Sequence, residues 1–427
     1  MINYDHPELK EATRLVAFDV CPGDPFHATC TPIYQTATFD QESAAGFGRY
    51  DYTRSGNPTR DVLERQMAYL EGVSLSGRSF AFASGLAAIT AVMNLLSPGD
   101  EVLACDDLYG GTYRLLSQIL VRRGVKVRYA DLTDISTATK AFSADTRLVF
   151  LESVSNPLMR VCDIEAIARL AHERNALLCV DNTFLSPLLM KPLGLGADFV
   201  VHSATKYLCG HSDVMAGIVS VKDASLARDL YLIQNGEGAG LAPHDCYLLL
   251  RGLKTLDLRL ERQQRSANII TMHLWGKKGV ARVLFPGLPG QPNSEVHARQ
   301  ASGTGAVVCF ETGDAQLSQR IVENLTLFGI RVSFGSVGSS ASLPCNMSHA
   351  SIPAAVREAR HFPADIVRLS IGIEDVRDLT ADLDRAFVRA GVEPAAQSPG
   401  GSPDVGVKAS AAWQFNQGHR ASPAFVV

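Results

Sequence analysis

The sequence predicts an α/β protein with one large, mostly parallel sheet and a smaller C-terminal α/β domain. Between residues 58 and 251, short apolar runs alternate with stretches of helical character, which is the pattern of βαβ units. A chain of 427 residues is also too long for one ordinary core, so two domains with additional segments are expected. A hydrophobic content of 46% and a charged content of 20% fit a globular protein.

The N-terminal part of the chain is predicted to be an arm followed by the large domain. Residues 1–57 contain proline and aromatic residues without a sustained helical period, so they are expected to form an extended arm. Residues 58–257 are expected to form the large domain. Its strand-like apolar runs are 102–105, 126–129, 148–151, 177–180 and 199–201.

A second domain is predicted at residues 258–391 and is reached through a long helix that begins near residue 248. A closing helix is expected near 375–390. The predicted strands of this domain are 306–310, 331–334 and 366–370. The composition then shifts to Pro, Ala, Gly and Ser, so residues 392–427 are predicted to be a disordered tail.

Charge and cysteine usage narrow the function classes. The net charge is −4 with acids and bases mixed along the chain, which supports neither nucleic-acid nor membrane partners. The polar, acid-containing N-terminus lacks the features of a signal or transit peptide. Nine cysteines without a Cys-x-x-Cys pair indicate reduced thiols, with Cys179 and Cys309 as small core residues, and a cytoplasmic protein is predicted. The histidines have no metal-ligand spacing, so no metal is expected, and His202 and His211 are interpreted as structural.

Lys206 has the most informative surroundings in the chain. The run 196–206 indicates a short buried strand that ends in a hydroxyl-rich turn, where Ser203 and Thr205 flank the lysine. A lysine buried beside apolar or cationic groups loses pKa and becomes a nucleophile. The alternative is an ordinary surface lysine after a strand.

Asp181 ends another apolar run, and ligands of open α/β sheets gather at the carboxyl ends of strands. A lysine that can form a Schiff base, hydroxyls for a phosphate and an acid at a strand end are what pyridoxal phosphate (PLP) requires. Taken alone, Asp181 also suits a helix N-cap.

Two glycine-containing turns add weaker indications. Ser84 and Gly85 open a predicted helix whose first amides could bind an anion, although Ser84 could simply cap it. Tyr109 lies beside the flexible pair Gly110-Gly111 and could stack on a flat ring, although a core aromatic is the commoner outcome.

Arginines at two other places suggest anion binding. Tyr52 and Arg54 lie in the arm, where they could bind phosphate if the arm docks on a neighbouring subunit, or could form a solvated loop. Arg368 lies in an apolar strand, where burial requires a partner. That partner is either a substrate carboxylate or an internal acid such as Glu374.

Together these motifs resemble the Cys/Met-metabolism family of PLP enzymes of fold type I, from about residue 17 to 391. The resemblance rests on residue order and spacing. The matching stretches are 52–59, 84–86, 107–112, 181–182, 202–206, 210–215, 250–256 and 368–375. Four further stretches, 50–61, 237–243, 333–337 and 344–353, are most similar to the eukaryotic-type β-lyase branch. Two departures are Gly338-Ser339-Ser340, where the family often has Glu-Ser-Leu, and Leu86 in place of methionine.

The resemblance assigns a role to each candidate. Lys206 would hold PLP covalently, Asp181 would pair with the pyridine nitrogen, and Tyr109 would stack on the ring and assist in catalysis. The residues implied for the phosphate are Ser84, Gly85, Leu86, Ser203 and Thr205, with Tyr52 and Arg54 from the neighbouring subunit. Those implied for the substrate are Arg368, Ser333 and Asn156. The family also implies a homotetramer built from dimers that share active sites.

The implied reaction is PLP-dependent β-elimination from a sulfur amino acid in transsulfuration and methionine biosynthesis. L-Cystathionine is the expected substrate, giving homocysteine, pyruvate and ammonia. Cystathionine γ-lyase, γ-synthase or methionine γ-lyase chemistry on the same scaffold is the alternative, and a non-catalytic PLP-fold scaffold is a remote one.

Overall fold

The computed structural model describes residues 9–18, 24–73, 77–350, 352–360 and 362–393. Apart from residues 392 and 393, the predicted tail 392–427 lies outside the described residues, as do residues 1–8 of the arm. Within these ranges, no helix has both the length and the apolar character needed to cross a membrane.

A seven-stranded sheet forms the centre of the N-terminal half. Its strands are β1 (Arg78–Phe82), β2 (Glu101–Cys105), β3 (Lys126–Ala130), β4 (Thr146–Glu152), β5 (Leu177–Asp181), β6 (Phe199–Ser203) and β7 (Gly217–Val221). Their order is β1-β7-β6-β5-β4-β2-β3. Strands β3, β2, β4, β5 and β6 pair in parallel, and β7 runs antiparallel to both of its neighbours. The prediction of a mostly parallel sheet is therefore confirmed.

Helices surround this sheet and continue into the C-terminal half. In chain order they are α1 (Glu11–Val16), α2 (Pro58–Leu70), α3 (Gly85–Met93), α4 (Gly110–Arg114), α5 (Ile135–Ala141), α6 (Ile164–Glu173), α7 (Ser186–Leu189), α8 (Ala224–Glu237), α9 (Pro243–Leu253), α10 (Leu256–Leu274), α11 (Ser294–Gln300), α12 (Ala315–Asn324), α13 (Ala354–Ala359) and α14 (Val376–Arg389). A π-helical turn (Leu115–Ile119) and three 3₁₀ turns (Leu120–Arg123, Pro192–Leu195, Pro344–Asn346) complete the helical segments.

Local sequence explains where several helices begin. Asn57, Asp163 and Asp223 each accept a hydrogen bond from an amide of the first helical turn, which satisfies donors that lack a partner within the helix. Helix α3 packs on β6 and β7, and α6 packs on β5. All five residues of β2 are buried, which is why residues 102–105 appear as a continuous apolar run.

The C-terminal half contains a five-stranded sheet in the order β10-β11-β12-β9-β8. Its strands are β8 (Arg282–Leu284), β9 (Val307–Glu311), β10 (Gly329–Ile330), β11 (Ser340–Ser342) and β12 (Val367–Ser370). Only β10 and β11 pair in parallel. Helix α14 matches the predicted closing helix, and Cys179 and Cys309 are fully buried, as expected.

Three details differ from the sequence-based expectations. The arm contains the short helix α1, which is too brief to produce a sustained period. The helix expected from residue 248 is divided between α9 and α10, and the predicted boundary at residues 257–258 falls inside α10. The strand expected at 331–334 is wrong: β10 ends at Ile330, and Ser333 has a left-handed φ of 86° that a strand does not accommodate.

Candidate active site

The carboxyl ends of neighbouring strands bring the main candidates together at one edge of the large sheet. Strand β5 ends at Asp181 and β6 ends at Ser203, with Asp181 in register with Val201. Lys206 follows in the turn after β6, and its amide donates to the Ser203 carbonyl over 3.1 Å. The structure thus places Lys206 and Asp181 where open α/β sheets bind ligands.

The Lys206 amine is set apart from a surface lysine by its contacts. Its Nζ donates to Ser333 Oγ over 2.7 Å and lies 5.4 Å from the centre of the Phe334 ring. Burial, and then the positive charge of Arg368, lower the pKa of Lys206 to about 8, whereas Asp181 opposes this shift. A substantial fraction of this amine is therefore uncharged near pH 8 and can act as a nucleophile or a base.

Asp181 does not serve as the helix cap that was its alternative. Its Oδ1 accepts from the Thr183 amide over 2.9 Å, and the N-cap position of α7 is Leu185. Burial raises the pKa of Asp181, while the Thr183 hydrogen bonds and the positive forms of His202 and Lys206 oppose the rise. Asp181 is therefore a carboxyl at a strand end that is available to a ligand.

The start of α3 meets the end of β6 at very short range. Ser84 caps α3 by accepting from the Ala87 amide over 3.1 Å, so the capping interpretation of Ser84 is correct. A Cβ added to Gly85 would lie 2.8 Å from Ser203 Cβ, so only glycine permits this approach. The amides of Gly85 and Leu86 are thus in the first turn of α3 next to Ser203, a position where helix starts can bind an anion.

Thr205 is anchored on the other side of that turn. Its Oγ1 accepts from the Ala216 amide over 3.0 Å and can donate to the Ala216 carbonyl at 3.3 Å. The hydroxyls of Ser203 and Thr205 are thereby held close to the start of α3.

Tyr109 lies in the turn between β2 and α4 and is not a core aromatic. Its side chain is 44% exposed, and the ring packs over Gly111, where an added Cβ would lie 2.4 Å from a ring carbon. The Tyr109 amide donates to Glu152 Oε1 over 2.7 Å. The ring is therefore both oriented and accessible to a ligand.

Arg368 is a buried cation that binds neutral acceptors. Its Nη1 donates to Asn156 Oδ1 and its Nη2 to the Ser333 carbonyl, each over 2.9 Å. No ion pair with a carboxylate of the described residues forms at Arg368, and its Nε is buried without a protein acceptor. The alternative partner, Glu374, instead accepts from the amide and hydroxyl of Ser339. Arg368 thus retains the capacity to bind a carboxylate.

The departure at Gly338-Ser339-Ser340 is accommodated by that Ser339 contact. The Ser339 hydroxyl lies 2.8 Å from Glu374 Oε2 and also accepts from the Gly372 amide over 2.9 Å. A Cβ added to Gly338 would have its nearest atoms, on Arg331 and Glu374, at 4.0 Å. The loop is therefore fixed at Ser339 while position 338 stays open.

Tyr52 and Arg54 are not brought to the rest of the site within one chain. Both side chains are exposed, and the Arg54 guanidinium lies 5.5 Å from the Tyr52 ring. The contacts found for them among the described residues do not reach Lys206 or Asp181.

No group of three or more His, Cys, Asp or Glu side chains in the described ranges could hold a metal ion. His202 pairs with the buried Glu71 at 2.5 Å.

Several residues that complete the site were not predicted from the sequence. Glu152 ends β4 beside Asp181, and the same strand-end argument could have found it. Phe334 lies 4.5 Å from the Phe184 ring, between the side chains of Lys206 and Arg368.

Two polar side chains of helix α10 hydrogen-bond to backbone carbonyls next to the site residues. Arg259 Nη1 donates to the Tyr207 carbonyl over 2.8 Å, next to Lys206. Gln263 Nε2 donates to the carbonyls of Ser336 and Ile371, which follow Ser333 and Arg368. These contacts join segments far apart in the chain, and no local pattern reveals them.

The residues present fit PLP on two observations of this structure. The close approach of Gly85 to Ser203 leaves backbone donors where a side chain would otherwise fill the space, as a phosphate requires. An amine of lowered pKa and a buried carboxyl lie on adjoining strand ends, which suits the aldehyde and the ring nitrogen of PLP respectively. Lys206 and Asp181 would bind these two groups.

Comparison with known proteins agrees with this geometry. The family model described as Cys/Met metabolism PLP-dependent enzyme matches residues 12–388. The chloroplastic cystathionine beta-lyase of Arabidopsis thaliana is 53% identical over 380 residues, covering 89% of this chain and 81% of that protein. The cystathionine beta-lyase of Neurospora crassa is 49% identical over 382 residues, 89% of this chain and 82% of that protein.

Solved structures show the same fold. The crystal structure of cystathionine gamma-lyase from Lactobacillus plantarum complexed with L-serine matches with a TM-score of 0.87 at 38% identity, covering 90% of this chain and 100% of that chain. The chain therefore belongs to the Cys/Met metabolism family of PLP-dependent enzymes.

Proposed function

We propose that this protein is a cystathionine β-lyase, a PLP-dependent enzyme that cleaves the Cβ–S bond of L-cystathionine to give homocysteine, pyruvate and ammonia. The observation that carries the proposal is the arrangement around Ser333. Its hydroxyl accepts from the Lys206 amine and its carbonyl accepts from Arg368, so a base and a carboxylate-binding group face one α-amino acid site. The substrate follows from the high identity to proteins named cystathionine beta-lyase.

The cofactor is assigned to the residues that surround the end of β6. Lys206 would bind the aldehyde carbon, Asp181 the ring nitrogen, and the exposed Tyr109 ring would cover one face of PLP. When bound, PLP supplies an electron sink that makes the Cα proton acidic and allows a group on Cβ to leave. The proposed phosphate ligands are Gly85, Leu86, Ser203 and Thr205, with Tyr52 and Arg54 of a second subunit. Ser84 lies beside them as the cap of α3.

The chain's own side chains then bind the substrate and move its protons. Arg368 would bind the α-carboxylate through its guanidinium, with Asn156 and Ser333 holding that guanidinium in place. Lys206 Nζ, whose pKa of about 8 leaves part of it uncharged at that pH, would take the proton from Cα. The Cβ–S bond breaks with its electron pair on sulfur, and Lys206 or Tyr109 would protonate the departing thiolate. Water hydrolyses the remaining three-carbon enamine to pyruvate and ammonia.

A homotetramer built from dimers that share active sites is part of this proposal. It is supported by the exposed position of Tyr52 and Arg54, whose contacts among the described residues leave the Lys206 site incomplete. A cytoplasmic location is also proposed, on the thiol usage of the chain, although the Arabidopsis relative carries the description chloroplastic. Microscopy of the tagged protein in its own cells would test the location.

Product analysis tests the reaction. Purified protein with PLP and L-cystathionine is expected to release pyruvate, and Lys206→Ala to release none. Release of 2-oxobutyrate would instead establish γ-cleavage, the alternative favoured by the structural match to a γ-lyase. If neither ketoacid formed without an added nucleophile, a synthase would be indicated. Absence of a visible cofactor band after PLP is supplied would point to a non-catalytic scaffold.

A further inference from the structure

A row of acidic side chains follows the carboxyl ends of three adjacent strands. Strands β5, β4 and β2 are neighbours in the sheet. Asp181 ends β5, Glu152 ends β4, and Asp107 follows shortly after β2. The register pairs Glu152 directly with Asp181, so Glu152 occupies the middle of the row. The proposed function gives Asp181 a role but leaves Glu152 without one.

The contacts of Glu152 connect it to the turn that carries Tyr109. Glu152 is 5% exposed, and its Oε1 accepts from the Tyr109 amide over 2.7 Å. No ion pair to Glu152 forms among the described residues, so its carboxyl is buried without a cation. Burying an unpaired carboxyl costs desolvation free energy, so we expect Glu152 to have a role other than packing.

The protonation state follows from that environment. Burial and then the nearby Asp181 raise the pKa of Glu152 well above its usual range, with Asp107 adding to the rise. The amides of Tyr109 and Asn156 oppose the shift. The ionised form of Glu152 is therefore disfavoured where the strand register sets this residue beside Asp181.

We propose that Glu152 is a positioning residue that holds the Tyr109 turn and the segment leading to Asn156 in place relative to Asp181. Glu152 is the last residue of β4, and the chain continues from it toward Asn156. Its carboxyl accepts a hydrogen bond from the Tyr109 amide, in the backbone from which the Tyr109 ring projects. Glu152 thus contacts the backbone of the proposed ring-covering residue through its carboxyl and lies beside the proposed ring acid through the strand register. The backbone of Asn156, which binds Arg368, also hydrogen-bonds to it. The inference rests on the roles proposed for those residues but not on which carbon–sulfur bond is cleaved.

The experiment compares three substitutions at this position in the full-length protein. In Glu152→Gln the amide oxygen can still accept from Tyr109, so PLP affinity, the visible circular dichroism of bound PLP and KM are expected to stay near wild type. Glu152→Ala removes the acceptor of the Tyr109 amide, and Glu152→Asp withdraws it by one methylene. We expect about tenfold weaker PLP binding in both, which is the effect of leaving one buried donor unsatisfied. Reduced visible circular dichroism and a raised KM should accompany it.

Glu101 provides the matched control because it is a buried carboxyl at the opposite end of β2. It accepts from Thr146, Ser143 and Arg128, away from the site. Glu101→Ala is expected to lower the midpoint of thermal unfolding without changing the dichroism of bound PLP.

Two results would overturn the proposal. One is wild-type PLP affinity and dichroism in both Glu152→Ala and Glu152→Asp. The other is the reverse order, with Glu152→Asp retaining function and Glu152→Gln losing it, since that would indicate an ionised carboxylate acting through its charge. Should Glu152→Ala not fold, the comparison of Gln with Asp decides the question. PLP retention is measured separately from the ketoacid product, so failure here is distinguishable from failure of the proposed reaction.

Discussion

At the scale of single residues, the reactivity of Lys206 is set by its neighbours. Burial disfavours the ammonium form, and the Arg368 guanidinium adds repulsion from inside the same site. In the proposed site Arg368 therefore has two effects, because it would bind the substrate carboxylate and it lowers the pKa of the lysine amine. The two effects can be separated by substitution, since one depends on the planar fork of arginine and the other only on positive charge.

The apoenzyme permits a direct test of that separation. Covalent capture of PLP requires an uncharged amine, so its rate should rise with pH and level off above about 8 in the wild type. In Arg368→Leu the repulsion is lost and the pKa of Lys206 should rise, which moves the midpoint to higher pH. Stopped-flow absorbance of PLP capture measures this midpoint.

Arg368→Lys is the control for charge. It keeps the positive charge, so its midpoint should remain near that of the wild type, while its KM for cystathionine rises because the bidentate geometry is lost. Equal midpoints in the Leu and Lys variants and the wild type would show that Arg368 does not influence the amine.

At the scale of elements, the contact between α3 and β6 leaves no room for a side chain at position 85. Gly85→Ala would place a methyl group 2.8 Å from Ser203 Cβ and 2.9 Å from its Cα, which forces the helix start away from the strand end. We expect destabilisation of about 1–3 kcal/mol, the usual effect of overpacking, together with weaker PLP binding. Urea unfolding of the apoenzyme and PLP titration measure the two effects.

Gly236→Ala is a matched control in a helix. Position 236 lies in α8, where an added Cβ has no atom within 4 Å. This substitution should stabilise the protein by about 0.5–1 kcal/mol because alanine favours the helix. PLP affinity should not change. Unaltered PLP binding in Gly85→Ala would contradict the proposed phosphate site.

The elements also show what a sequence can predict. Strands such as β2 and β4 were predictable because nearly all of their residues are buried, which leaves continuous apolar runs in the sequence. The antiparallel direction of β7 was not, since an apolar run carries no information on direction. The strand predicted at 331–334 failed because Ser333 bends the chain to bring its hydroxyl and carbonyl to Lys206 and Arg368. A functional contact there overrides local propensity.

At the scale of the whole molecule, the candidate site was predictable where chemistry and strand ends coincide, as at Asp181 and Lys206. It was not predictable where distant surfaces meet. From helix α10, Arg259 contacts the carbonyl of Tyr207 in the turn after β6, and Gln263 contacts two segments of the C-terminal half. Such residues occupy ordinary positions on a helix, and only tertiary packing gives them a role.

The shared active site proposed for the dimer predicts complementation between two inactive variants. Lys206→Ala has an intact arm, and Arg54→Ala has an intact lysine. If the arm completes a neighbouring site, random mixed dimers should regain about a quarter of wild-type activity, because half of the dimers are mixed and one of their two sites is intact. Co-expression with two affinity tags, followed by pyruvate assay, measures this.

Each variant expressed alone is the control for that experiment, and its homodimers should stay nearly inactive. No recovery in verified mixed dimers would mean that Arg54 acts within its own chain or outside the site.

Helix α10 limits which parts of the site can change to accept new substrates. Through Arg259 and Gln263, one rigid helix supports both the turn with Lys206 and the segments with Ser333 and Arg368. The spacing between Lys206, proposed to take the Cα proton, and Arg368, proposed to bind the α-carboxylate, is thereby fixed. Diversification of this scaffold toward new amino acids is thus left to the parts that α10 does not support, such as the open position 338.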